Sequence, residues 1–197
     1  MTGNGELKNK VFSLKDFNEV VSTDIDTEVS QGEAFAIKVT ADSNLLERVT
    51  IDKEGTILQI GLKPGQYENA TLKVEVTMPD LRKLTQRGAA DLSFSGFDQG
   101  SLVLMAQGAG KISGSDNIVT DLSLHADGAM SLDLTASELT NADINILGSG
   151  DVRLNLPGDK GRITGQIQGV SELSYCGDPS NEVEVFGVAD IQRIKCS

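Results

Sequence analysis

Gly88-Ala-Ala-Asp-Leu92, Gly108-Ala-Gly-Lys-Ile112, Gly128-Ala-Met-Ser-Leu132, Gly148-Ser-Gly-Asp-Val152, Gly169-Val-Ser-Glu-Leu173 and Gly187-Val-Ala-Asp-Ile191 are six short units of one pattern. Their leading glycines are 20, 20, 20, 21 and 18 residues apart. A period near 20 without helical spacing predicts a β-solenoid, in which each repeat is one coil stacked on the last. Aligned on the glycine, the position four before it holds Leu84, Leu104, Leu124, Ile144, Gly165 and Val183, and the position four after holds Leu92, Ile112, Leu132, Val152, Leu173 and Ile191. These columns read as aliphatic core ladders. Glycine suits the corner between them because it reaches positive φ without a Cβ penalty.

A second polar turn lies half a period away, at Ser95-Gly-Phe-Asp98, Ser113-Gly-Ser-Asp116, Ala136-Ser-Glu138, Pro157-Gly-Asp159 and Cys176-Gly-Asp-Pro179. The reading is therefore an all-β parallel β-helix of roughly 20-residue coils, each with two strands and two turns, over residues 81–197. Residues 1–80 read differently. Phe35-x-Ile37-x-Val39, Leu58-x-Ile60-x-Leu62 and Leu72-x-Val74-x-Val76-x-Met78 alternate strictly, as half-buried strands do. Lys53-Glu-Gly55 and Lys63-Pro64-Gly65 mark reversals, and Asp42 or Ser43 is placed to cap one short helical turn through Asn44–Arg48. This N-terminal region is expected to cap the stack and to be continuous with it, making one elongated domain.

Composition bounds the function. With 29 acidic and 17 basic residues the net charge is −12, which disfavours nucleic acid as a partner. No apolar run approaches the roughly 18 residues of a membrane-spanning helix. Met1-Thr-Gly-Asn-Gly5 lacks the basic and apolar regions of a signal peptide. Cys176 and Cys196 are one period apart, so side chains on adjacent coils about 4.8 Å apart would allow a disulfide between the last two coils. Unlinked thiols are the alternative.

The order and spacing of Phe17-Asn-Glu-Val20, Asn44-Leu45-Leu46, Gly55-Thr-Ile-Leu58-x-Ile60, Val74-x-Val76-Thr77-x-Pro79-x-Leu81 and the glycine turns resemble the head GIN domain family of auto-transporter adhesins from Bacteroidetes envelopes. The family's Gly-Ser-Gly turn is present unaltered as Gly148-Ser149-Gly150. The resemblance implies a right-handed, pectin-lyase-like solenoid and export to the cell envelope or extracellular space, the export signal having been removed. It also implies adhesion to a cell-surface protein or glycan, with no catalytic residue and no cofactor.

Candidate sites are few. Three residues after the turn glycine, Asp151, Glu172 and Asp190 would stack as a carboxylate ladder of calcium-like character, although a solvent-facing corner with splayed, screened carboxylates is the plainer reading. His125, the only histidine, points outward by alternation and has no second imidazole or thiol near it in the pattern. Arg153 follows Asp151 on the same outward face, which is the nearest approach to a lyase-like pair. There is no Gly-x-Ser-x-Gly elbow or His-Glu-x-x-His motif, and with no Trp and two Tyr the chain lacks sugar-stacking platforms. A non-enzymatic adhesin or scaffolding module is the leading reading. A carbohydrate-active enzyme or glycan-binding module, and a self-assembling structural module forming homo-oligomers, are the alternatives.

Overall fold

A computed structural model describes residues 1–196 as an all-β structure with a single short 3-10 turn at Leu46–Arg48. The strands are β1 (Leu7–Phe12), β2 (Glu19–Thr23), β3 (Asp26–Gln31), β4 (Ala36–Asp42), β5 (Val49–Glu54), β6 (Ile57–Leu62), β7 (Leu72–Met78), β8 (Lys83–Gly88), β9 (Leu92–Ser95), β10 (Asp98–Leu156), β11 (Arg162–Gly177) and β12 (Ser180–Ile194). All belong to one sheet, whose main path runs β1-β4-β7-β3-β9-β10-β8-β2-β6-β5, with β11 on β10 and β12 on β11.

This arrangement corrects the expected right-handed parallel β-helix capped by a continuous N-terminal strand region. The sheet is mixed and wraps into a nearly closed, barrel-like wall around one core. β1 with β4, β4 with β7, and β5 with β6 pair antiparallel. The remaining named pairs are parallel. The physical reason lies in β2 and β3. β2 hydrogen-bonds to β6 on one side and β8 on the other, and β3 lies between β7 and β9. The N-terminal strands are thus part of the wall, and the hairpin signal at Glu54-Gly55 turns β5 back on β6 antiparallel.

The glycine spacing sets the register of the parallel ladders. Gly108 pairs with Gly88, Gly148 with Gly169, and Gly169 with Gly187. β10 runs 59 residues without a break because the chain bends at these glycines while staying hydrogen-bonded. The bend is close-packed: a Cβ on Gly148, whose φ is +127°, would lie 2.2 Å from the carbonyl oxygen of Gly128. Only glycine fits there.

Leu84, Leu104, Leu124 and Ile144 are each wholly buried, as are Leu132, Val152 and Leu173. Each such side chain contributes roughly 1.5–3 kcal/mol through the apolar area it removes from water. Phe94 and Phe97 are the largest of the core's fully buried side chains. Asn117 on β10, also buried, bonds the backbone of both. Its Oδ1 accepts the Phe97 N–H at 3.1 Å, and its Nδ2 donates to the Phe94 carbonyl at 3.3 Å and to Ser137 Oγ at 2.9 Å.

Near the 3-10 turn the expected side-chain cap is replaced by another contact. Leu45 occupies the N-cap position and no side chain caps the turn. Asp42, buried, instead accepts the N–H groups of Gly5 at 2.6 Å and Thr71 at 2.7 Å, fastening the N-terminal segment to the chain entering β7. Its carboxylate serves donors that no strand supplies with a carbonyl.

Candidate functional site

Four neighbouring strands, β7, β3, β9 and the start of β10, present two rows of polar side chains on their outer face. Because side chains alternate along a strand, in-register partners share a face. Thr77 is opposite Ser30, Ser30 opposite Ser95, and Ser95 opposite Ser115. Two residues earlier on each strand, Glu75 is opposite Glu28, Glu28 opposite Ser93, and Ser93 opposite Ser113. The inner face of the same strands carries Val29, Val76, Phe94 and Ile112, all buried, which anchors the outer rows.

These rows line a groove of about 500 Å³ that Asp133, Thr135 and Ala136 extend. The backbones that carry one row stand about 4.8 Å apart, the spacing of the strands. Ser30 Oγ and Thr77 Oγ1 are 3.3 Å apart and hydrogen-bonded. Ion pairs border the groove: Lys38 Nζ lies 2.7 Å from Glu75, and Lys73 Nζ 2.9 Å from Glu28. The hydrogen bond from Lys38 holds Glu75 below the usual carboxylate range, and the one that Lys73 donates to Glu28 raises Lys73. At the far end, Thr135 donates to Asp133 Oδ1 from its hydroxyl at 2.7 Å and its N–H at 3.1 Å. The hydroxyl bond chiefly lowers the Asp133 pKa, assisted by the backbone bond and by the charges of Lys111 and Arg153, against a rise from burial. The groove thus offers hydroxyls that both donate and accept, with the Glu75 and Asp133 carboxylates held ionised.

The Asp151, Glu172 and Asp190 ladder is in register across β10, β11 and β12. Two of its carboxylates turn to their own strands. Glu172 Oε1 accepts Ser174 Oγ at 3.1 Å, and Asp190 Oδ2 accepts Gln192 Nε2 at 2.6 Å. Among the described residues, no three His, Cys, Asp or Glu side chains converge as metal ligands. Arg153 is opposite Ser174. His125 is exposed, with Ser123 Oγ 3.3 Å from its Nε2, and it lines a shallow depression with Met105, Asn145 and Gln166.

A disulfide joins Cys176 and Cys196. Gly88, Gly108, Gly128, Gly148, Gly169 and Gly187 all have positive φ, whereas Gly150 does not; a Cβ there would meet the Met130 carbonyl oxygen at 2.7 Å. The acidic residues near the corners have a use that sequence reading missed. Asp24 accepts the Ala89 N–H, Asp26 the Asp91 N–H, and Asp91 the Lys111 N–H, at 3.1, 3.0 and 3.2 Å. These carboxylates satisfy backbone donors in the corner between β8 and β9 and on β10.

The hydroxyl rows also escaped sequence reading. Ser93-x-Ser95 and Ser113-x-Ser115 repeat at 20 residues and could have signalled part of them. Ser30 and Thr77 could not, because they join from strands outside the glycine pattern.

Residues 16–153 match the family model described as "Putative auto-transporter adhesin, head GIN domain". Similar folds occur in solved structures. A putative adhesin from Bacteroides fragilis is 15% identical with a TM-score of 0.78, covering 98% of this chain and all of that one. A putative lipid binding protein from Parabacteroides distasonis is 19% identical with a TM-score of 0.58. A putative adhesin from Parabacteroides merdae is 19% identical with a TM-score of 0.57; the alignments to both Parabacteroides proteins cover 99% of each chain. No curated protein matches the chain significantly in sequence. Among the described residues, no helix is long and apolar enough to cross a membrane.

Proposed function

The chain belongs to the head GIN domain family of auto-transporter adhesins, and we propose that it works as a non-enzymatic adhesion module of the cell envelope whose contact surface is the hydroxyl-lined groove. The observation that carries this reading is the in-register row Thr77, Ser30, Ser95 and Ser115, with Glu28, Glu75 and Asp133 beside it. An array of hydroxyls at strand spacing can exchange many weak hydrogen bonds with an extended polyhydroxylated ligand. Each bond replaces one to water, so affinity accumulates from number and preorganisation rather than from any single contact.

Charge narrows the ligand. The groove carries carboxylates within a chain of net charge −12, so an acidic glycan is repelled and a neutral one is favoured. The groove lacks an aromatic platform, which points to an extended polymer rather than a single sugar, since one ring would find too little apolar surface to bind alone. Chemistry on the ligand would require an acid, base or nucleophile aimed into the groove. Its carboxylates are engaged with Lys38, Lys73 and Thr135 instead.

The test is calorimetric titration with neutral and acidic polysaccharides, using the native chain and Ser115→Trp, which fills the groove from its exposed side. Binding of a neutral polymer that Ser115→Trp reduces at least tenfold, with its melting temperature unchanged, supports the reading. Preferential binding of an acidic polymer, or binding indifferent to Ser115→Trp, refutes the groove as the contact surface. Release of new reducing ends from the bound polymer refutes the non-enzymatic assignment.

A further inference from the structure

The wall ends at β12 in a way that differs from its other edges. β12 hydrogen-bonds to β11 along one side, and among the described residues no strand pairs with its other side. The core ends there too. Ile167 and Leu173 are wholly buried, yet their in-register partners Val185 and Ile191 are 40% exposed and half-buried respectively, and Val183 is half-buried as well. At the Gly187 corner Phe186 is 59% exposed and Val188 67%. The edge at β1 bears Lys8 and Lys10 and the edge at β5 the charged run Asp52-Lys53-Glu54, which discourage pairing. Between Glu182 and Gln192, β12 has charges on its outer face alone, and the side chains on its inner face are Val183, Val185, Ala189 and Ile191.

The order of residues along β12 is nearly palindromic about Gly187. Reading outward in both directions, Phe186 matches Val188, Val185 matches Ala189, Val183 matches Ile191, Glu182 matches Gln192 and Asn181 matches Arg193. Inward positions match inward ones. We infer that a second copy of this chain covers this end, pairing β12 antiparallel with its own equivalent about a two-fold axis through the Gly187 corner. An isologous contact requires this self-matching, and a two-fold axis at the corner brings the arm before Gly187 against the arm after it in the other copy. Both open ladders are then satisfied, Val183 covers Ile191 inside, and Phe186 meets Val188 outside.

The area is sufficient for a modest association. Fifteen residues of β12 extend about 50 Å, folded at the corner into two arms around a core about 10 Å across. Each copy therefore contributes on the order of 500 Å², and the pair buries about 1,000 Å², the lower limit for a specific interface. The exception to the matching is Glu184, which faces Asp190 of the other copy at two places. Like charges directly opposed on a sheet weaken the pairing. The small area and this repulsion make for a weak dimer, and neutralising Glu184 strengthens it. β11 separates this surface from β10, the nearest strand of the groove, and the two share no residue, so the inference stands or falls independently of the ligand proposed there.

Sedimentation equilibrium from about 1 to 200 µM, spanning the affinity that such an area supports, tests it on the full chain. The expected result is a monomer–dimer equilibrium that Glu184→Gln tightens several-fold and that Val185→Lys or Phe186→Asp abolishes, with unchanged circular dichroism for all three. Because the substituted side chains are already exposed at the edge, the variants should fold; Lys8→Asp on β1 serves as the control that leaves the dimer intact. A monomer throughout the range overturns the inference. So does a dimer that survives both Val185→Lys and Phe186→Asp, growth beyond dimer, or weakening by Glu184→Gln.

Discussion

Replacing Gly148 with alanine tests whether the glycine column is held by conformation, by contact, or by both. Gly148 has φ +127°, a region that L side chains rarely adopt, and occupying it costs about 1–3 kcal/mol. The new Cβ would also lie 2.2 Å from the Gly128 carbonyl oxygen, so the ladder must open by about an ångström; comparable overpacking costs about 1–3 kcal/mol. Together these give roughly 2–6 kcal/mol. For a chain of this length that corresponds to a fall of about 5–20 °C in melting temperature. Two controls separate the terms. Gly55 has φ +59° with nothing within 4 Å of a new Cβ, so Gly55→Ala carries backbone strain alone, about 1–2 kcal/mol. Gly100 has neither positive φ nor a nearby atom, and Gly100→Ala should change stability by less than about 0.5 kcal/mol. Urea unfolding of the three variants provides the measurement. A Gly148→Ala loss no greater than that of Gly55→Ala would refute the close-packed corner.

Asn117→Ala removes a buried group that serves Phe97, Phe94 and Ser137, leaving the Phe97 N–H without its acceptor; a loss of about 1–3 kcal/mol is expected in the same urea assay. Cys196→Ser opens a 20-residue loop and should lower stability by about 3 kcal/mol, with hydrogen exchange accelerating first in β12, the strand it ties down. Asp133 is held below its ordinary pKa mainly by the Thr135 hydroxyl, so its stabilising contribution is present above about pH 4 and is lost as pH falls through the lowered folded value. Thr135→Val should raise the Asp133 pKa in an NMR titration and move the loss of stability to higher pH. An unchanged Asp133 titration would show that the hydroxyl is not the cause.

The interval between glycines was legible in the chain because a corner that passes against its neighbour's backbone tolerates no Cβ, and that intolerance recurs wherever the ladder does. Aliphatic columns four residues to either side were legible for the same reason: they follow the alternation of an extended chain on both sides of the corner. Their burial, from Leu84 to Ile144 and from Leu92 to Leu173, follows directly. The apparent carboxylate ladder was also visible as a register, since Asp151, Glu172 and Asp190 are neighbours in space.

What a linear reading misjudged is pairing between distant segments. Nothing local to Glu19–Thr23 or Asp26–Gln31 says that β2 and β3 will be flanked on both sides by other strands and become part of the wall. Strand periodicity specifies which face is buried but not which neighbour supplies the hydrogen bonds, so a cap was expected where the structure has a mixed, barrel-like sheet. The groove follows from that pairing, because Ser30 and Thr77 reach Ser95 and Ser115 only once β3 and β7 take their places. The direction of the carboxylates was likewise a tertiary matter. Register brings Asp151, Glu172 and Asp190 together, while hydrogen bonds from Ser174 and Gln192 draw Glu172 and Asp190 toward their own strands. The glycine period belongs to the chain, because sterics at a corner act on the nearest backbone; the polar surface belongs to the fold, because only long-range pairing decides which hydroxyls stand side by side.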